Sequence, residues 1–190
     1  MNYIYDKGGI YKIFNGNLLY HGCIPTKEDG TFDDVYIDGQ YLSGMKYLKQ
    51  VEDKVRKAFY CEVGSEEQLN ALDYCWYLWS GPKSPLFGKN KMTTFERYFI
   101  EDKATHKEHY NPYYYHIESR DYCKSILKEF DLDINKSHIV NGHVPVKTHK
   151  GESPIKGGGI LLVIDGGLSK AYHKSTGIGG YTLISNSNMM

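Results

Sequence analysis

Asn141-Gly142-His143-Val144-Pro145-Val146-Lys147, with Ile160-Leu161-Leu162-Val163-Ile164-Asp165-Gly166-Gly167 close behind it, is the stretch on which the fold turns. Ser137-His138-Ile139-Val140 reads as a short strand, and the Asn-Gly-His-X-Pro turn after it sets an imidazole at the strand's end. Turns of this kind on a rigid scaffold commonly carry metal ligands and bases. A second segment has the same layout: Asn17-Leu18-Leu19-Tyr20 reads as a strand and runs into His21-Gly22-Cys23-Ile24-Pro25. Two strand-end histidines, each followed by a proline, point to two ligands delivered to one site. The plainer reading is two histidines that never meet, because short His-Gly pairs are common.

Outward from these two segments the chain reads as strand-rich ends around a helical middle. Ile10–Phe14 and Leu18–Tyr20 alternate about Asn15-Gly16, the dipeptide favoured in two-residue hairpins. A polar, turn-rich loop follows His21 and contains Glu28-Asp29-Gly30 and Asp38-Gly39. From Ser43 the period changes: Leu48, Val51, Val55 and Ala58/Phe59 recur at helical spacing. Ser65-Glu66-Glu67-Gln68 is a capping box opening a helix that carries Leu69, Leu72, Trp76 and Trp79, and Ser80-Gly81-Pro82 stops it. A shorter helix carries Phe95, Tyr98 and Phe99, and a polar His/Tyr-rich connection spans residues 106–116. A further helix places Tyr122, Ile126, Leu127 and Phe130 on one face. Strands return at His138–Val140, Ile160–Ile164 and Gly180–Ile184. The expected class is α/β, a mixed sheet flanked by helices, with residues 43–132 as a helical insertion and residues 1–190 as a portion of one domain. So few strands are less than a sheet of this class usually holds, so a larger whole is expected.

The chain has 190 residues, enough to bury a sizeable core. Lys+Arg and Asp+Glu each total 23, so the formal net charge is zero and no electrostatic footprint for nucleic acid or an anionic membrane is present. Eighteen tyrosines suit either a wet, ligand-facing surface or the rim of a core. Cys23, Cys61, Cys75 and Cys123 form no C-x-x-C pair, which is neither a zinc framework nor a dense disulfide scaffold. Reduced thiols, the absence of an apolar leader in residues 1–10 and the lack of a membrane-length apolar run give the expectation of a cytoplasmic chain.

His21-Gly22-Cys23-Ile24-Pro25 resembles the His-Gly-Gly-(Ile/Leu)-Ser-Pro segment of calcineurin-like metallophosphatases, and Asn141-Gly142-His143-Val144-Pro145 resembles their Gly-His-Thr-Pro segment. Residues 18–25, Gly81-Pro82-Lys83-Ser84-Pro85-Leu86-Phe87-Gly88-Lys89, Met92-Thr93-Thr94-Phe95-Glu96-Arg97 and Ile164-Asp165-Gly166-Gly167-Leu168-Ser169-Lys170-Ala171-Tyr172 together look like the class III fructose-1,6-bisphosphatases of Firmicutes-type bacteria. The resemblance runs from about Gly9 to Ser187. It implies a partial metallophosphatase-type β-sandwich and a manganese-dependent phosphomonoesterase removing the 1-phosphate of fructose 1,6-bisphosphate in gluconeogenesis. In such sites a metal pair clamps the phosphoryl oxygens and activates a water. Carried over by position, His21 and His143 match the two late histidines of the second metal. The family's other ligands lie in Asp-X-His, Gly-Asp-X-X-Asp-Arg and Gly-Asn-His motifs, and before His21 the only acid is Asp6. The chain therefore resembles the enzyme's C-terminal half. Two imidazoles are a weak site for manganese, which prefers oxygen donors, so the chain alone is not expected to be a competent phosphatase. Its expected partners are the N-terminal half of the same enzyme and a second copy meeting an uncovered apolar face.

Other residues carry paired readings. Lys147, Lys150 and Lys156 on a Gly-rich turn can grip phosphate or simply be solvated. Lys170 and Lys174, with Ser175-Thr176-Gly177, form a second polar cluster with the same two readings. Arg97 reads as a bidentate sugar-phosphate clamp or as a solvated helix arginine. Asp165 either orients a ligand histidine or caps its own turn. His106, His109 and His116 share no face and are not read as a metal site. Two further functions stay open: a metallophosphatase acting on another phosphoester, and a non-catalytic remnant or binding subunit.

Overall fold

Asn15 and Gly16 sit at φ 48° and 72°, the two left-handed residues a type I′ hairpin turn requires. They join β1 (Tyr11–Phe14) to β2 (Asn17–Tyr20). β2 lies parallel to β5 (Ile139–Asn141), with Leu18 opposite Ile139 and Leu19 opposite Val140. β5 in turn lies parallel to β7 (Leu161–Val163), with Asn141 opposite Val163, and β6 (Ile155–Lys156) runs antiparallel along β7. The result is a mixed five-stranded sheet of order β1-β2-β5-β7-β6. β5 is buried at all three positions, as expected of a strand with parallel neighbours on both sides. β3 (Val35–Ile37) and β4 (Gln40–Leu42) form a separate antiparallel ribbon.

The structure, a computed structural model, describes residues 2–170, 173–177 and 179–184. It divides into two units, one of Met1–Lys12 and His21–His116, the other of Ile13–Tyr20 and Ile117–Met190. The first unit holds α1 (Asn2–Lys7), α2 (Gly44–Tyr60), α3 (Glu66–Ser80), α4 (Thr94–Phe99) and α5 (Tyr113–His116). α2 and α3 pack on one another, burying Tyr47, Leu48 and Val51 from α2 and Ala71 and Leu78 from α3. The Ser65 half of the capping box forms, with Ser65 Oγ accepting from Gln68 N–H at 3.2 Å, while the Gln68 side chain accepts from Gly64 N–H at 2.8 Å. The residues chosen from the sequence for this helix's apolar stripe, Leu69, Leu72, Trp76 and Trp79, are all exposed. The inward side is instead built from Ala71 and Leu78, with the half-buried rings of Tyr74 and Tyr77 beside them. Phe95, Tyr98 and Phe99 of α4 are likewise exposed.

The second unit holds the sheet, α6 (Arg120–Glu129) and the short α7 (His173–Thr176). α6 buries Tyr122, Cys123, Ile126 and Leu127, the face its spacing predicts. The strand expected over Gly180–Ile184 does not form. Gly180 makes a single bridge to Asp165 and Tyr181 N–H donates to the Ile164 carbonyl, but Leu183 and Ile184 are exposed and unladdered. Residues 185–187 of the expected family match, and Ala171 and Tyr172, lie outside the described residues. Among the described residues no helix is long and apolar enough to cross a membrane.

In the first unit the loop after α3 is tied by one hydroxyl. Ser84 Oγ, fully buried, donates to the Leu78 carbonyl and accepts from Leu86 N–H (3.1 Å) and Phe87 N–H (3.3 Å). Ser84→Ala leaves two amides without that acceptor, and the expected loss is roughly 1–3 kcal/mol of stability, read by urea unfolding followed by circular dichroism. An unchanged midpoint removes this hydroxyl as the loop's anchor.

Candidate functional site at the carboxyl edge of the sheet

Three adjacent parallel strands end side by side in the second unit. Extending the register from Leu19, Val140 and Leu162 puts Tyr20, Asn141 and Val163 level with one another. His21 is then the first residue beyond β2, and His143 and Asp165 are each the second residue beyond β5 and β7. In open α/β sheets the carboxyl edge is where ligands bind, because strand ends deliver side chains there from several elements at once.

His143 stands at φ 67°, a left-handed conformation that a non-glycine residue adopts at some cost. The turn around it is tight: Val144 N–H donates to the Gly142 carbonyl at 2.8 Å, and Val146 N–H donates to the Asp165 carbonyl at 2.9 Å. The β5 and β7 turns are thus bonded to each other past the end of the ladder. Asp165 Oδ1 accepts from Gly167 N–H at 2.7 Å, which is the turn-capping role of the two read from the sequence. Lys147 is exposed, and its N–H donates to Glu152. The Thr148 hydroxyl donates to the Thr176 carbonyl at 2.7 Å, which brings the Lys147 turn to α7, where Lys174 is exposed. Lys170 is exposed on the segment between. Lys156 is different: it is buried, and its ammonium group bonds Glu118 at 2.6 Å and Glu152 at 3.2 Å, a structural pair.

In the first unit, the segment that starts at His21 is seated by its neighbours. Cys23 N–H donates to the Pro85 carbonyl at 2.9 Å, and a Cβ on Gly22 would meet that same oxygen at 2.3 Å. Glycine follows His21 because nothing larger fits against this backbone. His21 itself is exposed and Cys23 is fully buried, where burial pushes its thiol up to about 12. Arg97 is held at two points, by Nε to Thr93 Oγ1 (3.0 Å) and Nη2 to the His106 carbonyl (3.4 Å).

One group in this unit gave no signal in the sequence beyond a run of Lys and His over residues 103–109. Glu108 bonds Lys89 Nζ at 2.7 Å and accepts from both Thr93 N–H (3.0 Å) and Thr93 Oγ1 (2.9 Å). The Lys89 bond, with the Thr93 donors, outweighs partial burial and holds its carboxyl down at about 2. Among the described residues no group of three or more His, Cys, Asp or Glu gathers as a metal site.

A profile described as Firmicute fructose-1,6-bisphosphatase matches residues 1–190. Among curated proteins the chain is similar to the class 3 fructose-1,6-bisphosphatases of Clostridium novyi and Clostridium acetobutylicum, each 54% identical over 187 residues. It is 52% identical to that of a Clostridium botulinum strain over the same length. These matches cover 98% of this chain and 28% of each relative, so the chain spans little more than a quarter of their length. No solved structure matches.

Two outcomes follow from the geometry. Gly22→Ala forces its Cβ against the Pro85 oxygen, with an expected loss of about 1–3 kcal/mol, read by thermal or urea unfolding; an unshifted transition means the segment is not seated there. Glu108, whose folded pKa is depressed, adds stability that is present above its ordinary value near 4.5 and is lost as pH falls towards about 2. The expected size is on the order of 2 kcal/mol after solvent screening. The gap in unfolding midpoint between wild type and Glu108→Gln should therefore narrow from pH 6 to pH 3 without closing.

Proposed function

The chain belongs to the Firmicute fructose-1,6-bisphosphatase family, and from that membership we propose that it forms part of a metal-dependent phosphatase hydrolysing fructose 1,6-bisphosphate to fructose 6-phosphate and phosphate. The observation that carries the reading is the edge just described: β2, β5 and β7 are parallel and in register, and each releases a polar residue within two positions of its end. A metal-centred phosphatase needs ligands converging from separate strands, and this edge supplies that layout.

His21 and His143 are proposed as imidazole donors to the second metal of a manganese pair. The fit is partial. Imidazole suits a range of divalent ions, but manganese favours carboxylate and other oxygen donors, and the described residues gather no set of three. The described residues alone gather no complete manganese site, and the two histidines are read as one part of a ligand set completed by the rest of the enzyme. Asp165, bonded to its own turn, fixes the backbone that receives Val146 and so supports the turn presenting His143. Lys147, Lys170 and Lys174 are proposed as contacts to substrate phosphate: among the described residues none of them takes part in an ion pair, and all three are exposed on neighbouring turns. Arg97 is proposed as a contact to a sugar phosphate. The enzyme's remaining portion as partner, a homo-oligomeric assembly and a cytoplasmic location complete the reading. Residues 43–132 are read as the helical insertion of the family domain.

The test is manganese-dependent phosphate release from fructose 1,6-bisphosphate. The 190-residue chain alone is expected to release none above background, and the chain joined to the remaining portion of a full-length relative is expected to release it. In that completed enzyme His143→Ala should lower the rate by at least 10- to 100-fold, the loss that removing even an outer-sphere partner of a metal brings. Full activity of His143→Ala rules the imidazole out as a ligand. No activity in the completed enzyme rules out the phosphatase reading.

A further inference from the structure

We propose that a cavity in the first unit, lined by Lys89, Arg97, Lys107, Glu108, His109 and Tyr110, is a binding site for the phosphate group of a phosphate monoester. The cavity is open to solvent and has a volume of about 360 Å³, at the lower end of the roughly 300–1,000 Å³ typical of small-molecule sites.

Its charge is unbalanced in one direction. Glu108 is the only acid of the lining, and its two oxygens are occupied by Lys89 and by the amide and hydroxyl of Thr93. Lys89 and Glu108 neutralise each other, and Lys89 also lies 5.4 Å above the Tyr110 ring. Arg97 and Lys107 remain as excess cations, beside the imidazoles of His106 and His109. Two positive charges, one of them anchored, match the roughly −1.5 to −2 that a phosphate monoester carries near pH 7.

The guanidinium is also pre-set. Thr93 Oγ1 and the His106 carbonyl hold Nε and Nη2, while Nη2 stays 3.9 Å from Glu108, too far for a close pair. A solvated surface arginine has no need of two anchors, and its planar fork, once held, loses little entropy on taking an oxyanion. Thr93 is fully buried and joins the two halves of the lining, since its hydroxyl touches both Arg97 and Glu108. The anchoring is local to α4 and residues 106–110.

The phosphate can be that of a sugar bisphosphate, bound by its non-reacting end, or that of a separate phosphorylated ligand. The site does not depend on the phosphatase reading, because binding and not turnover is measured. Inorganic phosphate and fructose 1,6-bisphosphate are titrated separately into the 190-residue chain without metal, with amide NMR shifts and calorimetry as readouts. Wild type, Arg97→Gln and Lys107→Gln are compared. The expected result is phosphate-dependent shifts over residues 93–110 and affinity roughly 10- to 100-fold weaker in Arg97→Gln, the worth of a charge-assisted pair. Lys107→Gln, an exposed and structurally silent change, should weaken binding in the same direction. Tenfold tighter binding of the bisphosphate than of phosphate assigns the site to a sugar bisphosphate; equal binding assigns it to the phosphate of another ligand. Binding that is absent at millimolar phosphate, or that neither variant weakens, overturns the proposal.

Discussion

Everything in the second unit depends on the pairing of β5. It is hydrogen-bonded to parallel neighbours on both sides and buried along its length, with Leu18 N–H bonding the His138 carbonyl, Ile139 N–H bonding the Ile160 carbonyl and Ile164 N–H bonding the Asn141 carbonyl. Parallel pairing forces all three strands to end at one edge, which is why residues as far apart in sequence as Leu19, Val140 and Leu162 lie level with one another just inside it. It also imposes a long connection, because parallel strands cannot be joined by a tight turn. Between β2 and β5 the chain builds a unit with a core of its own, centred on Tyr47, Leu48, Val51 and Tyr113.

Much of this was legible wherever a local rule and the tertiary structure agree. The Asn15-Gly16 hairpin, the α2 stripe, the Ser65 cap and the buried face of α6 each rest on a short-range signal that packing reinforces. The β3–β4 ribbon was hidden in a polar loop although Asp38-Gly39, with φ of 49° and 82°, is itself a hairpin dipeptide; its flanking strands are too short for alternation to show. For α3 the period identified the helix but not its inward side. Tyr47 bonds the Tyr74 hydroxyl and the Lys83 carbonyl there, so the packed face is partly polar and the large apolar residues point outward.

The strand ends that carry His21 and His143 were legible, and their supports were not. A motif names His21 and Gly22, but only the fold shows Pro85, more than sixty positions on, pressing against that glycine. Charge was the least legible property. A net charge of zero is made of local pairs, Asp33 with Lys83, Asp38 with Lys54, Glu67 with Lys57 and Glu118 with Lys156. What matters for anions is which cations those pairs leave over, and that is a property of placement.

The two tryptophans of the chain both lie on α3, Trp76 and Trp79, exposed and stacked with ring centroids 5.6 Å apart and planes 14° from parallel. Intrinsic tryptophan emission therefore reports on one helix surface of the first unit, and the sheet with its histidine edge is dark to that probe. An unfolding curve recorded by fluorescence and one recorded by backbone circular dichroism observe different parts of this molecule, and coincidence of the two would itself measure whether the units melt as one cooperative body.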